Sequence, residues 1–143
     1  MLLRRLALTS ALIVVGVLVR GQAASRSVWA GVYTDEQAKR GEALYKTNCA
    51  TCHLESLRGA ESAPPLVGIT FASSWEGAPL ADLFERMRTS MPSDAPGSLS
   101  RQQNADVLAY MLHVAEFPSG PSALTGDTRA LEQIRYDTYK PGP

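Results

Sequence analysis

Apolar and polar positions divide the chain into an apolar front, three helical stretches and long irregular connections. Leu6 to Val19 is a mainly apolar run of 14 residues, flanked by Arg4, Arg5 and Arg20 and followed by Gly21, Ala23, Ala24 and Ser25. A positive start, an apolar centre and small residues after it form the pattern of a secretory signal peptide, with cleavage after Ala23 or Ala24. The alternative is an uncleaved anchor, for which 14 residues fall short of the about 20 that a span needs. Residues 1–23 are therefore expected as a signal segment and 24–33 as an extended leader.

Thr34 is the expected start of the first helix. Thr34 and Gln37 fit a capping box, and Asp35 and Glu36 suit the positive end of the helix dipole. Ala38, Gly41 and Tyr45 fall on one face. Glycine inside a helix costs about 1 kcal/mol relative to alanine, so Gly41 implies close approach by another helix. Residues 54–79, with Pro64, Pro65, Gly68, Gly77 and Pro79, read as a long ordered loop. Leu80, Leu83, Phe84 and Met87 recur with helical spacing, and Pro92, Pro96 and Gly97 then enforce an irregular segment. Ser100 and Gln103 fit a second capping box. It opens a helix striped by Val107, Leu108, Met111, Leu112 and Ala115, which Phe117-Pro118 ends. Residues 119–143 read as a polar extension with one short helix near Ala130 to Ile134. No strand pattern stands out, so the expected class is all-α, with the main domain at 34–118.

Composition narrows the function. The 143 residues carry 14 Lys+Arg and 14 Asp+Glu, a balance that argues against a nucleic-acid binder. Loss of residues 1–23 removes three arginines and no acid, leaving 11 bases, 14 acids and a net charge of −3. Two cysteines are too few for a disulfide framework, and thiols in an exported protein are expected to be covalently occupied or metal-bound. Three short helices with long loops bury little apolar surface, so a domain of this size calls for reinforcement at its centre.

The reinforcement is legible at Cys49-Ala50-Thr51-Cys52-His53, a C-x-x-C-H pentad. Two thiols three positions apart on one helical turn reach the two vinyl groups of one porphyrin, and the following histidine ligates the iron. A thioredoxin-like couple would need alternating strands and helices, which this chain lacks. A zinc site would need two more good ligands, and only His113 remains among Cys and His. The sixth iron ligand comes from Met87, Met91, Met111 or His113. Met87 and Met111 lie on apolar stripes, where methionine packs, and His113 shares a face with Gln102, Asp106 and Ala109, away from its helix's stripe. Met91 sits in the irregular segment directly before Pro92.

Together with the pentad, Gln37-Ala38-Lys39-Arg40-Gly41, Leu44-Tyr45, Ala63-Pro64-Pro65-Leu66-Val67-Gly68, Met91-Pro92 and Ala109-Tyr110-Met111 resemble the class I cytochrome c family over roughly residues 32–118. The match is similar to small bacterial monohaem cytochromes and to the cytochrome domains of quinoprotein dehydrogenases. The resemblance implies a cytochrome c-like fold of three to four short helices with long loops wrapped around one covalent haem c. It implies terminal helices that cross with Gly41 beside Tyr110, His53 and Met91 as axial ligands, and a backbone carbonyl of Pro64 that accepts from the proximal imidazole. Pro65, directly beside it, is the alternative for that last assignment. Trp75, Tyr45 and Phe71 are candidates to line the pocket, with Trp75 placed to hydrogen-bond a propionate and Arg88 to pair with one; plain aromatic packing and a solvated arginine are the alternatives.

The expected function is one-electron transfer between exported, periplasmic redox proteins, with a dehydrogenase as donor and a cytochrome or oxidase as acceptor. Two filled axial positions favour electron transfer over oxygen or peroxide chemistry. The chain is thus read as a carrier and not an enzyme. Two other readings stay open: a dedicated subunit of a dehydrogenase complex, and a haem sensor or enzyme with an open sixth position.

Overall fold

The computed structural model describes residues 26–61 and 63–142. The signal segment expected at 1–23 lies outside the described residues. Within them the order is β1 (Arg26–Ser27), a 3-10 turn at Val28–Ala30, α1 (Asp35–Asn48), α2 (Ala50–His53), α3 (Ile69–Trp75), α4 (Leu80–Ser90), α5 (Arg101–Val114), α6 (Thr128–Leu131) and β2 (Ile134–Arg135). The all-α class holds, with six helices among the described residues and one two-residue parallel pairing, Arg26 with Ile134 and Ser27 with Arg135.

Both expected caps start their helices. At α5 the box closes: Ser100 Oγ accepts from the Gln103 backbone and the Gln103 side chain accepts from the Ser100 N–H. At α1 only half of it forms. Thr34 Oγ1 accepts from the Gln37 N–H at 3.2 Å, but the Gln37 side chain turns inward. There its amide donates to Asp106 Oδ1 (3.0 Å) and the Leu124 carbonyl (2.8 Å), and its oxygen accepts from the Leu124 N–H (2.6 Å). A fully buried glutamine amide needs partners more than a helix end needs a second cap.

The core is built where α1 meets α5. A Cβ on Gly41 would lie 1.8 Å from the Asp106 carbonyl oxygen and 2.9 Å from Tyr110 Cβ, so the two helices touch through bare backbone. This is the close approach that a mid-helix glycine implied. It also explains why α5 is buried on more than its apolar stripe: Asn104 to Ala109 are all covered, because the face opposite Leu108 and Leu112 lies against α1. Asp106 survives there by bonding to Gln37, to Gln102 and to the Arg40 guanidinium at 3.1 and 3.2 Å. Burial acts to raise its pKa, but the donated bonds from Arg40, Gln102 and Gln37 prevail and hold it below the usual carboxylate range.

Three local expectations are revised. Residues 54–79 contain α3, seven residues with one buried apolar side chain, Phe71, too few for a helical period to emerge. The described part of the leader is extended only at Arg26–Ser27; a 3-10 turn follows, around which Val28, Val32 and Tyr33 are buried. The polar extension packs on its own domain through Leu124, Leu131, Ile134 and Tyr136, single apolar residues spread among polar ones. Trp29 Nε1 donates to the Asp137 carbonyl at 2.9 Å, and the Phe117 ring lies between those of Trp29 (4.9 Å) and Tyr136 (5.3 Å), which joins leader and tail. The short helix of the tail is Thr128–Leu131, and Ile134 belongs to β2.

Candidate functional site

The pentad begins where α1 ends. Cys49 caps α1, its N–H donating to the Tyr45 carbonyl at 2.8 Å, and α2 then carries Cys52 and His53 on a single turn. Both thiols are free; Cys49 is half-buried and Cys52 exposed. Burial, and then the neighbouring Cys52, push the Cys49 thiol up to about 11. Redox-active cysteines of disulfide exchange have depressed values, so this environment does not favour a thiolate couple.

His53 is the pentad's buried member, 7% exposed. Its Nδ1 lies 2.8 Å from the Pro64 carbonyl oxygen. A carbonyl can only accept, so Nδ1 donates, and in the neutral ring the lone pair then lies on Nε2. The carbonyl involved is that of Pro64 and not of Pro65. The loop between them is tied by backbone bonds: Gly59 N–H donates to the His53 carbonyl (3.1 Å), Ala60 and Ala63 exchange bonds at 2.9 and 3.1 Å, and Leu66 N–H donates to Leu57 (2.8 Å). Leu57 is completely buried and pins the loop to the core. Tyr45, buried against Tyr110 at 5.4 Å, donates its hydroxyl to the Leu54 carbonyl at 2.8 Å. Burial raises its pKa strongly, and the Cys49 and Tyr110 side chains add to the rise.

The structure thus brings Cys49, Cys52, His53 and Pro64 together. Met91 and Trp75 come from other elements. Met91 is the C-terminal cap of α4, half-buried, its N–H donating to the Met87 carbonyl at 2.9 Å. Met87 instead packs against the core, and Met111 is buried within it. Trp75 ends α3 and packs beside Phe71, ring centroids 6.2 Å apart. Arg88 is engaged with Glu85 at 2.7 Å, and His113 is exposed. Sequence reasoning singled out neither Leu57 nor Gly59. A glycine six residues past the histidine was the available signal.

The donor set fits a haem. Two unpaired thiols on one turn precede a buried imidazole whose Nδ1 is engaged by a backbone carbonyl. Leu66, Val67, Trp75 and Met87 pack on the core yet remain partly exposed, an apolar surface that polypeptide alone leaves incompletely covered. Among the described residues no three His, Cys, Asp or Glu converge as a metal cluster.

The family model described as cytochrome C oxidase, cbb3-type, subunit III matches residues 36–111, just over half of the chain. No curated relative matches. Among solved structures, the crystal structure of the sulfane dehydrogenase SoxCD from Paracoccus pantotrophus is similar at a TM-score of 0.53 and 22% identity, over 68% of this chain and 52% of that one. The chain thus corresponds to about half the length of that neighbour, and the likeness is one of fold.

Proposed function

The chain belongs to the family of cytochrome c domains described as cytochrome C oxidase, cbb3-type, subunit III, and from that premise we propose that it is a monohaem c-type cytochrome whose iron is ligated by His53 and Met91. Membership makes the domain a haem-binding electron carrier rather than an enzyme. The observation that supports the finer reading is the 2.8 Å contact between His53 Nδ1 and the Pro64 carbonyl, which engages Nδ1 and leaves Nε2 available to bind iron.

Each residue has a defined task. Cys49 and Cys52 would hold the macrocycle through thioethers to its two vinyl groups. His53 binds iron through Nε2, while the Pro64 carbonyl holds the ring orientation and strengthens the imidazole as a donor. Met91, at the end of α4 and free of the core packing that occupies Met87, would supply the second iron ligand through its thioether. Trp75 serves as a propionate donor. Haem bound in this way supplies reversible one-electron oxidation and reduction of iron with both axial positions filled. The polypeptide keeps the two ligands in place, so little rearrangement accompanies electron transfer.

The expected setting is the periplasm, with exported redox proteins as donor and acceptor. No helix among the described residues is long and apolar enough to cross a membrane. A second reading, in which the chain is the dedicated cytochrome subunit of a dehydrogenase complex, has support in a solved neighbour that is itself a sulfane dehydrogenase. Co-purification with a large oxidoreductase, without turnover by freely diffusing partners, would favour it.

The test of ligation is optical. The ferric protein should show the weak far-red band of iron–thioether bonding, lost in Met91→Ala and kept in Met87→Ala. The reverse pattern would move the ligand to Met87. Rapid carbon monoxide binding by the reduced native protein would replace this reading with an open-site sensor or enzyme.

A further inference from the structure

The carbonyl that holds His53 is itself held by a residue outside the C-x-x-C-H pentad. Gly59 has φ +72°, in the left-handed region. A Cβ added there would lie 2.5 Å from the Ala63 oxygen, 2.6 Å from the Pro64 carbonyl carbon and 2.6 Å from Pro65 N. Real Cβ atoms do not approach backbone so closely. The peptide carrying the imidazole's acceptor therefore rests directly against the bare face of Gly59. The same glycine donates its N–H to the His53 carbonyl at 3.1 Å, so one residue grips the histidine's backbone and supports the partner of its ring.

We propose that Gly59 is a positioning residue for the iron-binding imidazole: by leaving room for the Pro64 carbonyl it sets the Nδ1–H bond, and through that bond the reduction potential. This inference rests on the reading of His53 as the haem ligand. A side chain at position 59 must displace the Pro64 carbonyl by most of an ångström. A 2.8 Å bond has no room to shorten, so displacement stretches or misaligns it. The imidazole then becomes a weaker donor, the ferric state loses more than the ferrous, and the potential rises.

The test compares haem-loaded wild type, Gly59→Ala and Gly31→Ala by redox titration. Gly31 is a control with a similar conformation whose neighbours are not in the His53 loop: φ is +66°, and an added Cβ would meet the Ser119 oxygen at 2.8 Å. Gly59→Ala should raise the equilibrium constant for reduction on the order of tenfold, about 59 mV for one electron. Gly31→Ala should lower the unfolding midpoint and leave the potential where it was. An unchanged potential in Gly59→Ala, or the same rise in Gly31→Ala, overturns the proposal. Should Gly59→Ala fail to accumulate with haem, Pro65→Ala, which frees the Pro64–Pro65 peptide without filling the slot, should give a smaller rise; no rise there also overturns it. Wild-type protein that folds without haem would sink the underlying ligand reading, an outcome distinct from a haem-loaded wild type and an unshifted Gly59→Ala.

Discussion

Substituting Gly41 by alanine sets two effects of opposite sign against each other. In an isolated helix the change is favourable by about 1 kcal/mol. In this fold the new Cβ falls 1.8 Å from the Asp106 oxygen, 2.5 Å from its carbon and 2.9 Å from Tyr110 Cβ. Two of these atoms are backbone of α5, and Asp106 is tied to Gln37, Arg40 and Gln102, so α5 cannot yield locally. The helices must part by more than about 1 Å, and a gap of that size forfeits roughly a quarter to a half of each contact across it. Overpacking costs about 1–3 kcal/mol, occasionally more, and a clash this deep belongs at or above the top of that range. After the propensity gain, the net loss is about 2–3 kcal/mol. With a urea slope of about 1–3 kcal/mol per molar, the midpoint should fall by roughly 0.7–3 M. Far-UV circular dichroism follows it without relying on haem colour. A midpoint that stays put or rises would refute the reasoning, because that is the outcome of helix propensity acting alone.

Three further outcomes follow from the same contacts. Glu85 is held down to about 2 by hydrogen bonds from Arg88 and Thr128, against a smaller opposing effect of burial, with Arg101 adding to the lowering. A depressed carboxylate stabilises the fold above its unfolded value of 4.5 and loses that contribution as pH falls toward about 2. The stability advantage of wild type over Glu85→Gln should therefore fade across that window, and parallel urea-midpoint profiles would contradict it. Gln37→Leu orphans the Leu124 backbone groups and one contact of Asp106; at about 1–3 kcal/mol for each buried group left unpaired, it should cost on the order of 3 kcal/mol. It should also speed proteolysis near Leu124, whereas wild-type cleavage kinetics would show that the tail is held elsewhere. His113→Asn should leave the far-red band and the potential unaltered, since His113 is exposed and its ring neighbour is Tyr33 at 6.4 Å; a changed spectrum would implicate it in ligation.

What could be read from the sequence depended on how local its signal was. The pentad, both helix starts and the Gly41 contact were legible because each is a short pattern with one physical cause. The fold class followed from them. The second half of the α1 cap was not, since the Gln37 side chain was claimed by Leu124, 87 residues away. Nor was the buried back of α5, where Asp106 reads as a surface charge until Arg40 and Gln37 are seen around it. The tail misled for a related reason: Leu124, Leu131, Ile134 and Tyr136 have no period, and what they pack against comes from distant segments, among them the leader, α4, Phe71 and Phe117. At the site, the Pro64 contact came by resemblance, while the grip of Gly59 on it depends on a backbone approach that residue spacing does not reveal.

The central claim is that haem is bonded through sulfur at Cys49 and Cys52. Intact-mass measurement of exported protein, purified without added haem, tests it most directly. The account predicts a coloured species heavier than the polypeptide by one haem, with the mass increment on the peptide spanning Cys49 to His53. A folded, colourless protein at the bare polypeptide mass would contradict it.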